Sequence, residues 1–431
     1  MTATAPAVVT GLGVHTAVAA GADAFEEALR TGRSGITRCA AAGPQGPHFA
    51  AGLPDFDLRT ALDAVPGLPA GLRAGALRTA GRAPFGVQVA LVTALQARLH
   101  AGLGTAGAPA PRRTALVVAG HNLTTGYAER LHPKLAGGGA HVPARAALHL
   151  LDTDHLGVLS QVLDITGEGC TVGGASASGN VGIITAARLL AVGAADACLV
   201  VGALAELSAL ERQALLNLGA MSAGRRGLEP DAVCRPFDED HSGFVPGQGC
   251  GALVLETQES ATARGAPVLA RIAGYGLALD GNSQADPDEA GETEVMTAAL
   301  RMAGLAPEAV GYVNAHGTGS ALGDRTEAAA LRQVFGDGPG RPWINATKAL
   351  TGHCLYAAGV VEAVATVLQL RGGFVHPNIN LRRPIDPGLR FTGRTARPAD
   401  LSYALSNSFG FGGINTSILL AAAPGRPRTE G

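Results

Sequence analysis

The chain has 431 residues, which allows two or three domains of ordinary size or one large pseudo-symmetric one. Hydrophobic residues make up 47 % and charged residues only 16 %, so the chain can bury an ample core and is not disordered. Lys and Arg total 33 against 35 Asp and Glu, a formal charge of −2 that excludes a broad basic surface and, with it, nucleic acid as a partner.

The N-terminus, Met1 to Pro6, lacks a basic stretch and runs directly into a strand-like Ala7–Gly11, so no secretory signal is expected. A helix follows over Gly86–Ala101, a Gly/Pro-rich surface connection over Gly102–Arg112 and a strand over Ala115–Gly120. Further strands are expected at Cys198–Gly202, Ala252–Leu255, Val310–Ala315 and Tyr403–Asn407. The helices between them are Ser178–Val192, Thr293–Ala303, Asp324–Phe335 and Ala357–Leu370, with a second surface connection at Gly336–Pro342. Aliphatic runs ending in glycine thus alternate with Ala/Leu-rich helices, the pattern of βα units around buried sheets. A polar stretch, Thr257–Ala266, precedes a fresh strand pattern at Pro267–Gly274 that loosely echoes the opening one. It divides the chain into 1–256 and 257–423, with a frayed tail over 424–431.

Six dispersed cysteines, with no C-x-x-C pair and no Cys/His ligand spacing, argue against a zinc site and against a disulfide scaffold. No apolar run reaches the ~18 residues that a membrane span needs. A soluble cytoplasmic protein is expected, with no metal. Lysine occurs only at Lys134 and Lys348, which makes Lys348 conspicuous in an Arg-rich chain.

Four segments could carry chemistry. In the first, Cys170-Thr171-Val172-Gly173-Gly174-Ala175-Ser176-Ala177-Ser178-Gly179-Asn180, an apolar strand meets a small-residue turn and an Ala/Ile/Leu helix. A side chain at that junction sits where helix N–H groups stabilise negative charge, although a plain turn with a capping serine would read the same. The hydrolase elbow G-x-S-x-G does not fit, because Ser178 stands where its second glycine belongs. The second segment, Val313-Asn314-Ala315-His316-Gly317-Thr318-Gly319-Ser320, places a histidine beyond a buried strand, with Asp324 and Glu327 opening a helix. That histidine could be a donor, a base or structural. The third, Asn345-Ala346-Thr347-Lys348-Ala349-Leu350-Thr351-Gly352-His353, adds a second histidine and the rare lysine, with Glu362 further on. The fourth, Asn407-Ser408-Phe409-Gly410-Phe411-Gly412-Gly413-Ile414-Asn415, is too glycine-rich for a strand interior. It reads as a turn whose backbone approaches a ligand, or as a structural hairpin.

In this order and at these spacings the segments resemble the β-ketoacyl-ACP synthases, the condensing enzymes of fatty acid and polyketide synthesis. The likeness runs from Val9-Thr10-Gly11-Leu12-Gly13 through Arg235-Pro236-Phe237-Asp238 and Gly243-Phe244-Val245 to the glycine hairpin. The resemblance implies an α/β, thiolase-like, five-layered αβαβα fold of two pseudo-symmetric halves, usually a homodimer. The implied nucleophile–His–His set falls on Ser176, His316 and His353. Lys348 and Glu362 become a supporting ion pair expected to orient the loop carrying His353. Thr318 and Ser320 match positions that bind the pantetheine arm and Phe411 a loop gate, with Gly412 beside it among the substrate-binding residues and Asp324 a supporting position. No cofactor of the protein's own is implied; the substrate rides on the phosphopantetheine arm of an acyl carrier protein.

The family nucleophile is cysteine, and here Ser176 takes its place. A serine hydroxyl needs a dedicated base, and a serine ester resists onward Claisen attack, so ordinary elongation is not expected. Decarboxylation of a malonyl thioester needs only donors on its carbonyl, which His316 and His353 can supply. The run Val172–Asn180 also resembles the Ser-for-Cys ketosynthases of polyketide β-branching cassettes. Their implied role is to turn malonyl-ACP into acetyl-ACP for an enzyme similar to HMG-CoA synthase. Two alternatives stand beside this: a Ser-dependent acyltransferase or condensing enzyme, and a non-catalytic partner similar to chain-length factors. His241-Ser242 and Gln248 depart from the family pattern and are expected to alter salt bridges around the Arg235–Asp238 loop. His155 is expected at the dimer interface.

Overall fold

The computed structural model describes residues 7–39, 48–137, 142–224, 228–336 and 340–423; the tail from Pro424 and part of the Gly336–Pro342 connection lie outside them. The first half supplies β1 (Ala7–Thr16), β2 (Thr114–Ala119), β3 (Gly169–Val172), β4 (Ala197–Gly202) and β5 (Gly249–Thr257). Their spatial order is β3-β2-β4-β5-β1, with β2 parallel to both neighbours and the other pairs antiparallel. The second half repeats the pattern with β6 (Ala270–Leu279), β7 (Tyr312–Asn314), β8 (Trp343–Asn345), β9 (Tyr403–Gly410) and β10 (Ile414–Ala422). Here the order is β8-β7-β9-β10-β6, again with the second strand parallel to both neighbours. An antiparallel contact of β1 with β6, through Val8 and Val9 opposite Arg271 and Ala270, joins the two sets.

Helices α1 (Phe85–His100) and α2 (Thr153–Leu163) cover the outer face of the first sheet. Between the sheets lie α3 (Ser178–Ala191) and, from the second half, α7 (Ala358–Gly372); α4 (Ala209–Asn217) lies between them in sequence, near the site. The outer face of the second sheet carries α5 (Glu289–Ala303) and α6 (Ala321–Phe335). Layer position follows from sequence. Every residue of α7 from Ala358 to Leu370 is buried, as an apolar central helix must be, whereas α5 alternates Val295, Met296, Ala299 and Leu300 inward with charged residues outward. The fold is thiolase-like, with five layers and two similar halves.

The two halves cross at paired glycines. A Cβ on Gly179 would lie 2.6 Å from the Val360 nitrogen, and one on Gly359 would lie 2.7 Å from the Asn180 nitrogen. Only glycine lets the first turns of α3 and α7 touch backbone to backbone, and that contact brings the two halves' turns into one site.

Strand β1 runs five residues past its expected end at Gly11. A Cβ on Gly11 or Gly13 would lie 2.3 or 2.1 Å from carbonyl oxygens of α1, so these glycines admit a helix onto the strand and do not mark a turn. Similarly, β9 continues through Ser408, Phe409 and Gly410 in register with β10, so the glycine-rich segment is largely strand. His155 is 1 % exposed within a single chain, which corrects its expected place at a dimer interface: desolvation inside the protein holds its imidazole neutral, with a pKa of about 4. Gln248 also departs from expectation. It accepts from the Leu53 amide at 2.8 Å, away from the Arg235–Asp238 loop, while Ser242 bonds Ser222 at 2.8 Å. Among the described residues, no helix is long and apolar enough to cross a membrane.

Candidate active site

Ser176 sits on a single tight turn, Ala175–Ala177, between β3 and α3. The turn is strained: Ala175 has φ of +47°, in the left-handed region that side chains avoid at a cost of about 1–3 kcal/mol. Ser178 caps it by donating to the Ala175 carbonyl at 2.7 Å, and Gly410 of β9 packs against the Gly174 carbonyl from the other side. The second half builds a matching turn, Leu355–Ala357 ahead of α7, with Leu355 at φ of +50°.

That second turn defines the protonation of His353. The Leu355 N–H points at His353 Nδ1, 3.3 Å away, so Nδ1 is the acceptor and the ring proton resides on Nε2. Nε2 lies 2.8 Å from Ser176 Oγ and therefore donates to it. His316 is arranged alike. Its Nδ1 faces Lys348 Nζ at 3.5 Å, which leaves its proton on Nε2 as well. The two rings meet edge to face with centroids 5.6 Å apart, flanked by Phe244 and Phe409. Burial, followed by the positive charge of Lys348, holds both imidazoles well below the usual histidine range, and for His316 the neighbouring His353 adds to it. At neutral pH both are uncharged N–H donors.

Lys348 and Glu362 form a buried pair 2.5 Å apart. The lysine also donates to the His316 carbonyl at 2.5 Å, so the pair orients the His316 loop, not the His353 loop that the sequence reading assigned to it. Burial raises the Glu362 carboxyl to about 7 despite the lysine. From α6, Glu327 accepts from the His316 and Gly317 amides at 2.8 Å each. Asp324, one turn earlier, accepts from the Thr318 amide at 3.1 Å, the Gly319 amide at 3.0 Å and the Phe237 amide at 2.6 Å. Together these carboxylates fix the amides of residues 316–319.

A cavity of about 680 Å³ opens onto Ser176, His316 and His353, and Thr318, Ser320, Asp324 and Phe411 also line it. Gly412 does not. It shapes the hairpin tip with φ of +85° and has open space around it, which corrects its expected place among the substrate-binding residues. Thr318 donates to Ser320 at 3.0 Å, so the expected pantetheine positions form one polar edge. Phe411, 44 % exposed, stands at the hairpin tip like a flap. Among the described residues no cysteine lines the cavity, and the neighbouring Cys354 is buried with its thiol pushed up to about 12.

Sequence reading missed several groups. Glu327 was visible only as a helix-opening acid; its spacing of three from Asp324 puts both on one helix face, and that was the available signal. The Leu355 amide has no sequence signal, since any residue supplies an N–H. His121 and Tyr356, stacked at 4.5 Å on the cavity wall, and Glu292 come together only through the fold.

Such a pair of halves, with one hydroxyl and two imidazole donors at their crossing, defines a thiolase-like acyl-thioester site. Two family models match the chain: Beta-ketoacyl synthase, N-terminal domain, over residues 4–261, and Beta-ketoacyl synthase, C-terminal domain, over residues 269–382. The chain belongs to the β-ketoacyl synthase family. It is 37 % identical over 413 residues to the polyketide biosynthesis malonyl-ACP decarboxylase PksF of Bacillus subtilis (strain 168), covering 96 % of this chain and 95 % of that protein. Among solved structures, the ishigamide ketosynthase/chain length factor superposes with a TM-score of 0.84 at 30 % identity, over 98 % of this chain and 100 % of that one. The AntDE:AntF structure, a type II polyketide ketosynthase in complex with its acyl-carrier protein, matches with a TM-score of 0.81 at 26 % identity, over 97 % of this chain and 100 % of that one.

Proposed function

We propose that this protein is a malonyl-ACP decarboxylase that releases acetyl-ACP and does not condense. One observation carries the reading: Nδ1 of each active-site histidine faces a donor, the Leu355 N–H or Lys348 Nζ, which puts the ring proton on Nε2. A donor cannot take the Ser176 proton, so the triad route to an acyl-serine lacks its base. Two donors on a thioester carbonyl are what an enolate needs. As carbon dioxide leaves malonyl-ACP, negative charge develops on the thioester oxygen, and His316 and His353 bind it in a pocket screened from water. Lys348 adds a fixed positive charge close by.

The substrate arrives on the phosphopantetheine arm of an acyl carrier protein, with Thr318 and Ser320 along the arm and Phe411 as the flap. The similarity to the malonyl-ACP decarboxylase PksF supports this assignment, and the AntDE:AntF complex supports carrier docking on this scaffold. In a polyketide β-branching pathway the acetyl-ACP would pass to an enzyme similar to HMG-CoA synthase. The protein works in the cytoplasm as a homodimer. Supporting the dimer, β3 is a half-exposed edge strand of the sheet, and Leu148, Leu150 and Leu151 expose 59 %, 43 % and 53 % of their surfaces. A non-catalytic chain-length-factor-like partner would not need the Lys348–Glu362–His316 array.

The test is purified protein with malonyl-ACP, read by intact mass of the carrier and of the protein. Acetyl-ACP with unmodified protein is the expected outcome. An ester on Ser176, or a condensed product, overturns it.

A further inference from the structure

The cavity holds a buried acid for which the reaction above has no use. Glu292 on α5 is 1 % exposed, lines the same cavity as Ser176, His316 and His353, and its Oε2 has no hydrogen-bond partner among the described residues. It stands within electrostatic reach of Glu327, the clamp of the His316 loop, and of Asp280, Asp288 and Asp324. Desolvation, reinforced by these four acids, pushes its carboxyl well above the usual range and so favours the protonated form. The acids do not form a metal site, since among the described residues no three His, Cys, Asp or Glu side chains are grouped to hold an ion.

The proposed reaction leaves one atom unaccounted for. When the bond between C2 and the malonyl carboxylate breaks, carbon dioxide departs and the electron pair remains as an enolate. Acetyl-ACP then requires one proton at C2. His316 and His353 each have a single N–H, and both are committed to the enolate oxygen.

We propose that Glu292 is the proton donor to the enolate carbon, an inference that rests on the decarboxylase reading. Its carboxylic O–H gives the proton to C2 and keeps the electron pair as a carboxylate. A solvent proton entering through the cavity restores the acid, so one proton is consumed for each carbon dioxide released. Leaving Oε2 unpartnered suits this role, because a committed carboxyl could not deliver its proton to a substrate.

The experiment uses methylmalonyl-ACP in deuterium oxide, where a positioned acid delivers deuterium to one face and gives a single enantiomer of labelled propionyl-ACP. Glu292→Gln is expected to slow product formation by on the order of 10²-fold, the usual contribution of a general acid, and to give racemic label. Glu292→Asp, which keeps the acid, restores the single enantiomer. The melting temperature of Glu292→Gln stays level or rises, because a buried acid among acids is replaced by a neutral isostere. A single enantiomer from Glu292→Gln, or a collapse of its melting temperature, overturns the proposal. If the unaltered protein releases no carbon dioxide from either substrate, the decarboxylase reading itself falls, a result distinct from failure of the Glu292 arm.

Discussion

Ser176→Ala and His353→Ala should separate by orders of magnitude in malonyl-ACP decarboxylation, and the geometry sets their signs. His353 Nε2 donates to Ser176 Oγ at 2.8 Å in the resting site, so it must leave the serine to reach a substrate oxygen. A neutral hydrogen bond of this kind is worth about 0.5–1.5 kcal/mol net. Removing the hydroxyl frees the donor, and Ser176→Ala should therefore decarboxylate as fast as the parent or up to about tenfold faster. Removing the imidazole deletes a donor aimed at developing charge, a loss of about 2.7–4 kcal/mol, or 10²–10³ in rate. His316→Ala should lose a similar factor. The assay is the initial rate of acetyl-ACP formation, followed by carrier mass with the carrier saturating. If Ser176→Ala is as inactive as the histidine variants, the serine acts covalently and the donor argument is refuted.

Lys348→Met leaves Glu362 buried without its partner, and should cost about 3–5 kcal/mol in calorimetric stability along with activity. The double variant Lys348→Met/Glu362→Leu should regain stability but not rate, because the His316 carbonyl and Nδ1 still lack their donor. On pH, folded His316 and His353 protonate only well below 6.5, whereas the unfolded chain takes up protons near 6.5. Stability is therefore present above 6.5 and is lost as pH falls below it, while the rate per folded molecule, measured from pH 8 to 6, should show no histidine limb. Ser176→Cys should react with iodoacetamide yet refuse acyl chains from acyl-ACP, read by protein mass. Efficient loading and condensation would contradict specialisation away from elongation.

The element pattern of the fold was legible because each half is written in ordinary βα periodicity, and errors arose where glycine had a packing task. Gly11 read as a strand end and proved, with Gly13, to be the seat of α1. The glycine-rich segment read as a ligand-approaching turn or a structural hairpin; it is a hairpin, with Gly410 a strand residue pressed on the Ser176 loop. The site residues were legible as types and spacings: Ser176, His316, Lys348, His353 and Glu362 do converge. Their division of labour was not. Lys348 serves His316, because a helical turn, Lys348–Thr351, aims its side chain back toward the β7 loop. The proton location on His353 depends on a backbone N–H at a strained Leu355, which no side-chain pattern encodes. Glu292 escaped because its character comes from burial near Glu327, 35 residues away in sequence.

The electrostatics also explain why a hydroxyl is compatible with this site. Lys348 is the fixed cation beside the histidines, and burial leaves its field little screened. A thiol at position 176 would share that field as a thiolate, since its proton is lost readily beside a cation. The resting site would then hold an anion next to the two donors, and both would be partly engaged with it. Serine cannot ionise here. The two N–H donors then face no anion at position 176 in the resting site, so more of their strength is left for the enolate oxygen as it forms. A serine where the family carries cysteine therefore leaves the charge pattern that decarboxylation needs, and favours it.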